Sequence, residues 1–224
     1  LYQEIKGILT APMLAQAHES LQGANWIDGA SSAGAHARQV KRNEELDQSS
    51  PAWRDINELV VPALLQNREF QSATLPARVS AAYVVRYSGD MSYGSHVDDP
   101  VMGGDGARYR ADVAVTVFLN SPDSYQGGEL RIHRRNESVA VKLDAGSAVA
   151  YPAGSVHEVT PVTDGERIVC VLWAQSLVRS AEQREVLADL DDARLALRQA
   201  TPQAQVTSSV DRAYTNLMRL WAEP

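Results

Sequence analysis

The stretch Ala111-Asp112-Val113-Ala114-Val115-Thr116-Val117-Phe118-Leu119 is rich in β-branched and aromatic residues, and reads as a strand. Val79–Tyr87, upstream, has the same character. Downstream, strands are predicted at Glu129–Ile132, Glu137–Lys142, Ser147–Tyr151, His157–Thr160 and Arg167–Trp173. Between them lie the turn signals Gln126-Gly127-Gly128, Asp144-Ala145-Gly146, Pro152-Ala153-Gly154 and Thr163-Asp164-Gly165. Short strands at regular turn spacing, without crossover helices, argue for a double-stranded β-helix (jelly roll) or sandwich and against βαβ units.

Helical patterns flank this β region, so the predicted class is mainly β with flanking helices. The first third reads as helical. Thr10 is a candidate N-cap for a helix over 11–21, and Ser50-Pro51 opens a second at about 51–67 with Trp53, Ile56, Val60, Leu64 and Leu65 at helical spacing. Gly29–Gly34 reads as a loop. After the β region, one helix over 181–200 places Val186, Leu187, Leu190, Ala193 and Leu197 on one side. Thr201-Pro202 interrupts it, and another over 206–221 carries Val210, Tyr214, Leu217, Leu220 and Trp221. The expected division is one domain over 1–179, with N-terminal helices to 76 and the jelly roll over 77–179, followed by a C-terminal helical segment over 180–224. The two C-terminal stripes must bury against the barrel or against a second copy, and a homodimer is the favoured expectation.

The 224 residues suit one domain with a small appendage, and 44% hydrophobic against 22% charged residues implies a packed core. A net charge of −7 disfavours nucleic acid and anionic membranes as partners. Apolar runs such as Leu59–Leu65 are far shorter than the roughly 20 residues that span a bilayer. The first residues carry no export signal, and Cys170 is the only cysteine, so a cytoplasmic location is expected.

Of five histidines, two stand out. His96-Val97-Asp98 follows an extended, glycine-spaced stretch. On a strand, residues i and i+2 share a face, which aims His96 and Asp98 into one space and Asp99 away from it. His157 stands at the mouth of a later predicted strand. Two imidazoles and a carboxylate form the facial set that leaves adjacent positions open on a non-haem Fe(II) ion. Arg167 enters the apolar strand Ile168–Trp173, where a charge facing the core needs an anionic partner. A planar guanidinium suits a carboxylate, so a dicarboxylic cosubstrate could chelate the metal at one end and meet Arg167 at the other. The alternative is a strand-end arginine in solvent.

The chain resembles the Fe(II)- and 2-oxoglutarate-dependent dioxygenases of the prolyl/lysyl-hydroxylase kind, specifically the bacterial PKHD-type hydroxylases. The resemblance rests on Arg86–Asp98, on Phe118-Leu119-Asn120 with Tyr125-Gln126-Gly127-Gly128-Glu129-Leu130, and on Tyr151-Pro152, Gly154, His157-Glu158-Val159 and Arg167. Trp173–Arg179 and, upstream, Ala33-Gly34, Val40-Lys41 and Asn43 extend it. It implies that His96, Asp98 and His157 are the iron ligands, that Arg167 holds the distal carboxylate of 2-oxoglutarate, and that Tyr87 lines the same pocket. Wider relatives often carry a tyrosine where this chain has Phe118, which has no hydroxyl to offer; Thr116 shares its strand face. The implied reaction consumes dioxygen and 2-oxoglutarate and yields succinate, carbon dioxide and a hydroxylated product, with ascorbate as a candidate auxiliary reductant. The substrate is expected to be a peptide side chain or a small molecule, including iron-acquisition metabolites. The competing expectation is a cupin-like metal-binding jelly roll that does not use 2-oxoglutarate. Tyr93 and Trp173 read equally as pocket or core, Gln175 shares the strand parity of Arg167, and His18, His36 and His133 read as non-ligands.

Overall fold

Strand alternation and helix periodicity meet in a large antiparallel sheet that is buried on both faces. The computed structural model describes residues 2–32, 34, 37–133 and 137–223. Its eight-stranded sheet runs, in spatial order, Gln3–Ile5, Ala148–Pro152, Val113–Phe118, Arg167–Ser176, Tyr83–Tyr87, Glu44–Leu46 and Trp26–Asp28, with Pro76–Val79 also pairing with Arg167–Ser176. A five-stranded sheet faces it, in the order Ser138–Val141, Leu130–His133, Val156–Val159, Ser92–His96 and Lys41–Arg42.

Alternate residues of the central strands go to different layers. Val113, Val115, Val117, Cys170 and Leu172 join a core shared with the helices α1 (Ala11–Leu21), α2 (Pro51–Gln66) and α3 (Arg68–Thr74), through Ala17, Ile56, Val60, Leu64 and Phe70. Ala114, Phe118 and Val169 face the other way, onto Leu130, Ile132 and Val159 of the smaller sheet. Cys170 is thus a buried packing residue, and burial pushes its thiol pKa up.

The predicted helices at 11–21, 51–67, 181–200 and 206–221 form within a residue at each end. Ser50 Oγ caps α2 by accepting from Trp53 N at 3.2 Å. Three expectations are corrected. The first third is not wholly helical, because Gln3–Ile5, Trp26–Asp28, Lys41–Arg42 and Glu44–Leu46 supply strands to the two sheets. Two or three residues are too few to show alternation. Helix α3 also went unread; Asn67 ends α2 and caps α3, its Oδ1 accepting from Phe70 N at 2.9 Å. Finally, Val79–Tyr87 is broken at Ser80–Ala82, where α2 takes the backbone groups a ladder would use. Trp53 Nε1 donates to Ala82 O (2.8 Å), and Ala82 N donates to Asn57 Oδ1 (2.7 Å).

The C-terminal helices α4 (Ala181–Ala200) and α5 (Gln205–Trp221) pack back on their own chain. Tyr214, Leu217, Met218 and Trp221 lie against Leu75, Val178 and Leu187. The buried face of α4 is Arg184, Leu187 and Asp191, not the expected apolar stripe; Val186 and Leu220 are exposed. Charge satisfied locally makes that face tolerable: Arg184 Nη1 donates to the carbonyls of Val178 and Arg179 at 2.8 Å, and Asp191 binds Arg194 and Arg68. The stripes therefore find cover within one chain, and the dimer expectation loses its main support. Among the described residues, no helix is long and apolar enough to cross a membrane.

Candidate active site

Between the sheets lies a cavity of about 340 Å³. The side chains it receives follow from strand parity: Thr116 from Val113–Phe118, and Arg167, Val171 and Trp173 from Arg167–Ser176. From the smaller sheet come His96 and His157, which are cross-strand partners in the antiparallel register.

His96, Asp98 and His157 each offer a ligand atom, and these atoms lie within 4.8 Å of one another. Asp98 Oδ1 is 3.8 Å from His96 Nε2 and 3.7 Å from His157 Nε2. The other ring nitrogens are committed: His96 Nδ1 donates to Gly94 O (2.8 Å) and His157 Nδ1 to Ser155 O (3.0 Å). A carbonyl only accepts, so each Nδ1 carries the proton and each Nε2 turns a lone pair toward Asp98. The remaining carboxylate oxygen, Asp98 Oδ2, accepts from Trp173 Nε1 at 2.8 Å. Tyr93 stacks on the His96 ring at 3.6 Å between centroids, and Tyr151 packs edge-on to His157.

Burial, reinforced by the charge of His157, pushes the His96 pKa down to about 3. Burial pushes the Asp98 carboxyl up against the opposing pull of His157 and Trp173. A neutral imidazole pair beside a desolvated carboxylate suits a divalent cation, which compensates the carboxylate charge that burial penalises. The donor set fits a transition-metal ion.

Arg167 is 1% exposed, so the solvent-facing reading is excluded. Its guanidinium lies 5.1 Å from the Tyr87 ring and 5.5 Å from the Phe118 ring. Its Nε has no hydrogen-bond partner, and among the described residues no carboxylate pairs with it. An uncompensated buried cation at the cavity wall fits an incoming anionic group. Tyr87 and Thr116 also line the cavity, and burial raises the Tyr87 pKa while the Arg167 charge opposes it.

Some expectations needed amendment. The strand carrying His96 ends at that residue, so Asp98 reaches the site from the following loop. Asp99 is exposed at the cavity rim and does not point away. Gln175 instead receives the backbone N–H of Arg110 at 3.1 Å. Trp173 is a pocket residue, whereas His18 binds Leu119 O. His133 faces Ser138 and Glu158, while His36 and the hairpin residues Arg134 and Arg135 lie outside the described residues. Sequence reasoning gave no role to the cavity-wall residues Lys41, Asn43 and Glu45. Lys41 Nζ lies between Glu45 Oε1 and Ser32 Oγ, and both polar atoms of the Asn43 amide are buried without a partner.

Residues 82–175 match the family model of the 2OG-Fe(II) oxygenase superfamily, and residues 182–223 match the PKHD-type hydroxylase C-terminal domain. A PKHD-type hydroxylase of Thioalkalivibrio sulfidiphilus is 48% identical over 98% of both chains, and one of Polaromonas sp. is 45% identical over 96% of both. The chain belongs to the PKHD-type hydroxylases. It is therefore an enzyme of the 2-oxoglutarate-dependent dioxygenase class. Solved structures with the same fold include a Pseudomonas putida prolyl-4-hydroxylase (18% identity, TM-score 0.54, covering 78% of this chain and 92% of that one). Another is a Trichoplax adhaerens prolyl hydroxylase in complex with a hypoxia-inducible-factor peptide fragment (16%, TM-score 0.55, 83% and 86%). The two facing sheets are thus the jelly roll expected from the sequence, with a C-terminal helical pair added.

Proposed function

We propose that His96, Asp98 and His157 hold Fe(II), and that Arg167 receives the distal carboxylate of 2-oxoglutarate in a subsite walled by Tyr87, Thr116 and Phe118. Together, the bound ion and keto acid supply the activation of dioxygen that hydroxylates a substrate C–H bond and releases succinate and carbon dioxide. The chain's own residues prepare that site. The carbonyls of Gly94 and Ser155 fix both imidazoles with Nε2 unprotonated, and Trp173 holds one oxygen of Asp98 so that the other faces the histidines. Leu130 and Val159 give the cavity an apolar wall that limits water.

The observation that carries this reading is the fully buried, unpaired Arg167 opening on the same cavity as the His–Asp–His trio. A metal-binding jelly roll that does not use 2-oxoglutarate would have no use for a cation buried there. The substrate is proposed to be an amino-acid side chain or an iron-acquisition-related small molecule. Structures of this fold hold a peptide fragment in the Trichoplax enzyme and hygromycin B in HygX of Streptomyces hygroscopicus. The test is succinate formation from 2-oxoglutarate with Fe(II) and ascorbate, screened against peptides, free amino acids and iron chelators. Substrate-independent turnover is expected at a low level, rising with the true substrate. Absence of any succinate from fully metal-loaded protein refutes the proposal.

A further inference from the structure

The Tyr125 hydroxyl is buried without a hydrogen-bond partner, and so is the Nε of Arg167. Tyr125 is 2% exposed, so water does not satisfy its O–H. The two side chains meet over Gly128. From the point where a Cβ on that residue would stand, Tyr125 Cε2 and Arg167 Cδ are each 3.0 Å away. Gly128 has φ +67, a conformation that favours glycine, and any side chain there would push both residues aside. Tyr125 is held from behind: Lys142 Nζ donates to its carbonyl at 2.8 Å and lies 4.0 Å from its ring centroid. The Arg167 charge lowers the Tyr125 pKa against the upward push of burial, so the guanidinium and the phenol sense each other. On the other side of Arg167, Phe118 presents only a ring.

A phenol O–H and a guanidinium N–H both donate, and two buried donors without acceptors call for a shared acceptor. A carboxylate, with about four lone-pair sites, is the group that can receive both. We propose that Tyr125 is a second donor, beside Arg167, to the distal carboxylate of 2-oxoglutarate. This rests on the assignment of Arg167 to that carboxylate.

The test is calorimetric titration of the Mn(II)-loaded protein with 2-oxoglutarate and with 2-oxobutyrate, which keeps the keto-acid head but lacks the distal carboxylate. Tyr125→Phe is expected to weaken 2-oxoglutarate about tenfold or more, as loss of a hydrogen bond to a charged group does, and to leave 2-oxobutyrate unchanged. An unchanged 2-oxoglutarate affinity overturns the proposal, as does an equal loss for both ligands, which would mark a merely structural role. Ligand-free Tyr125→Phe should melt no lower than wild type, because the lost hydroxyl has no partner to leave. Arg167→Ala separates the two levels. If Arg167→Ala loses 2-oxoglutarate and Tyr125→Phe does not, only the Tyr125 role falls; if Arg167→Ala binds it as wild type does, the Arg167 assignment falls, and Tyr125 with it.

Discussion

Trp173→Phe removes one hydrogen bond from the proposed metal centre and leaves the ring packing. The indole Nε1 lies 2.8 Å from Asp98 Oδ2, and Tyr83 packs edge-on against the Trp173 ring at 5.5 Å, a contact a phenyl ring retains in part. The bond favours the charged carboxylate, whose pKa burial already raises. Hydrogen bonds to charged groups contribute about 1.5–3 kcal/mol, and losing a supporting contact to a metal ligand typically lowers affinity about 10–100-fold. Trp173→Phe should therefore bind Mn(II) or Fe(II) at least about tenfold more weakly. The pH of half-loading should also rise, since Asp98 then keeps its proton to a higher pH. Anaerobic competition against a chromophoric chelator between pH 6 and 8 measures both. Wild-type affinity and an unshifted pH profile would show that Asp98 does not ligate through the arrangement described, and the reasoning would fail.

Arg167→Ala should keep full metal loading while raising the 2-oxoglutarate concentration needed for half-maximal binding at least about thirtyfold, since truncating one member of a buried charge pair costs about 2–5 kcal/mol; calorimetry on the metal-loaded variant checks it. The His96 pKa of about 3 in the fold lies below its ordinary 6.5, so the unfolded chain binds the extra proton in between, and metal-free protein should lose stability as pH falls below about 6.5. Asp98, shifted upward, works in the opposite sense near pH 4, so the decline should flatten there; a thermal-melt series on wild type and His96→Gln, with no difference in slope between pH 7 and 5, would refute the assignment. Truncation after Arg179 uncovers Leu75 and Val178 and should give a poorly soluble chain, while the intact protein should scatter light as a 24.4 kDa species; a stable dimer mass would place exposed Val186 and Leu220 in an interface.

Much of the fold was legible because its strands are long enough to show their character. Val113–Phe118 and Arg167–Ser176 carry runs of β-branched and apolar residues, and α2 announces itself through Ser50-Pro51. The edge strands Gln3–Ile5, Lys41–Arg42 and Glu44–Leu46 escaped because pairing, not local composition, makes them strands. The gap at Ser80–Ala82 escaped for a related reason, since it depends on Trp53 and Asn57 of a distant helix. At the site, His96, Asp98, His157 and Arg167 could be read from type, spacing and resemblance. Tyr125 could not, because what distinguishes it is a buried hydroxyl without a partner, a property of the packed state. The polarity of α4's hidden face is similar: Arg184 and Asp191 read as solvent residues until Val178 O, Arg179 O, Arg68 and Arg194 are seen around them.

Metal stoichiometry tests the central assignment most directly. After anaerobic loading with Fe(II) and removal of free ion, the wild-type chain should retain about one iron per protein, and His157→Ala should lose most of it, because one imidazole and one carboxylate hold a labile divalent ion poorly against water. A His157→Ala protein that keeps wild-type iron would contradict the assignment of His96, Asp98 and His157 as the metal centre.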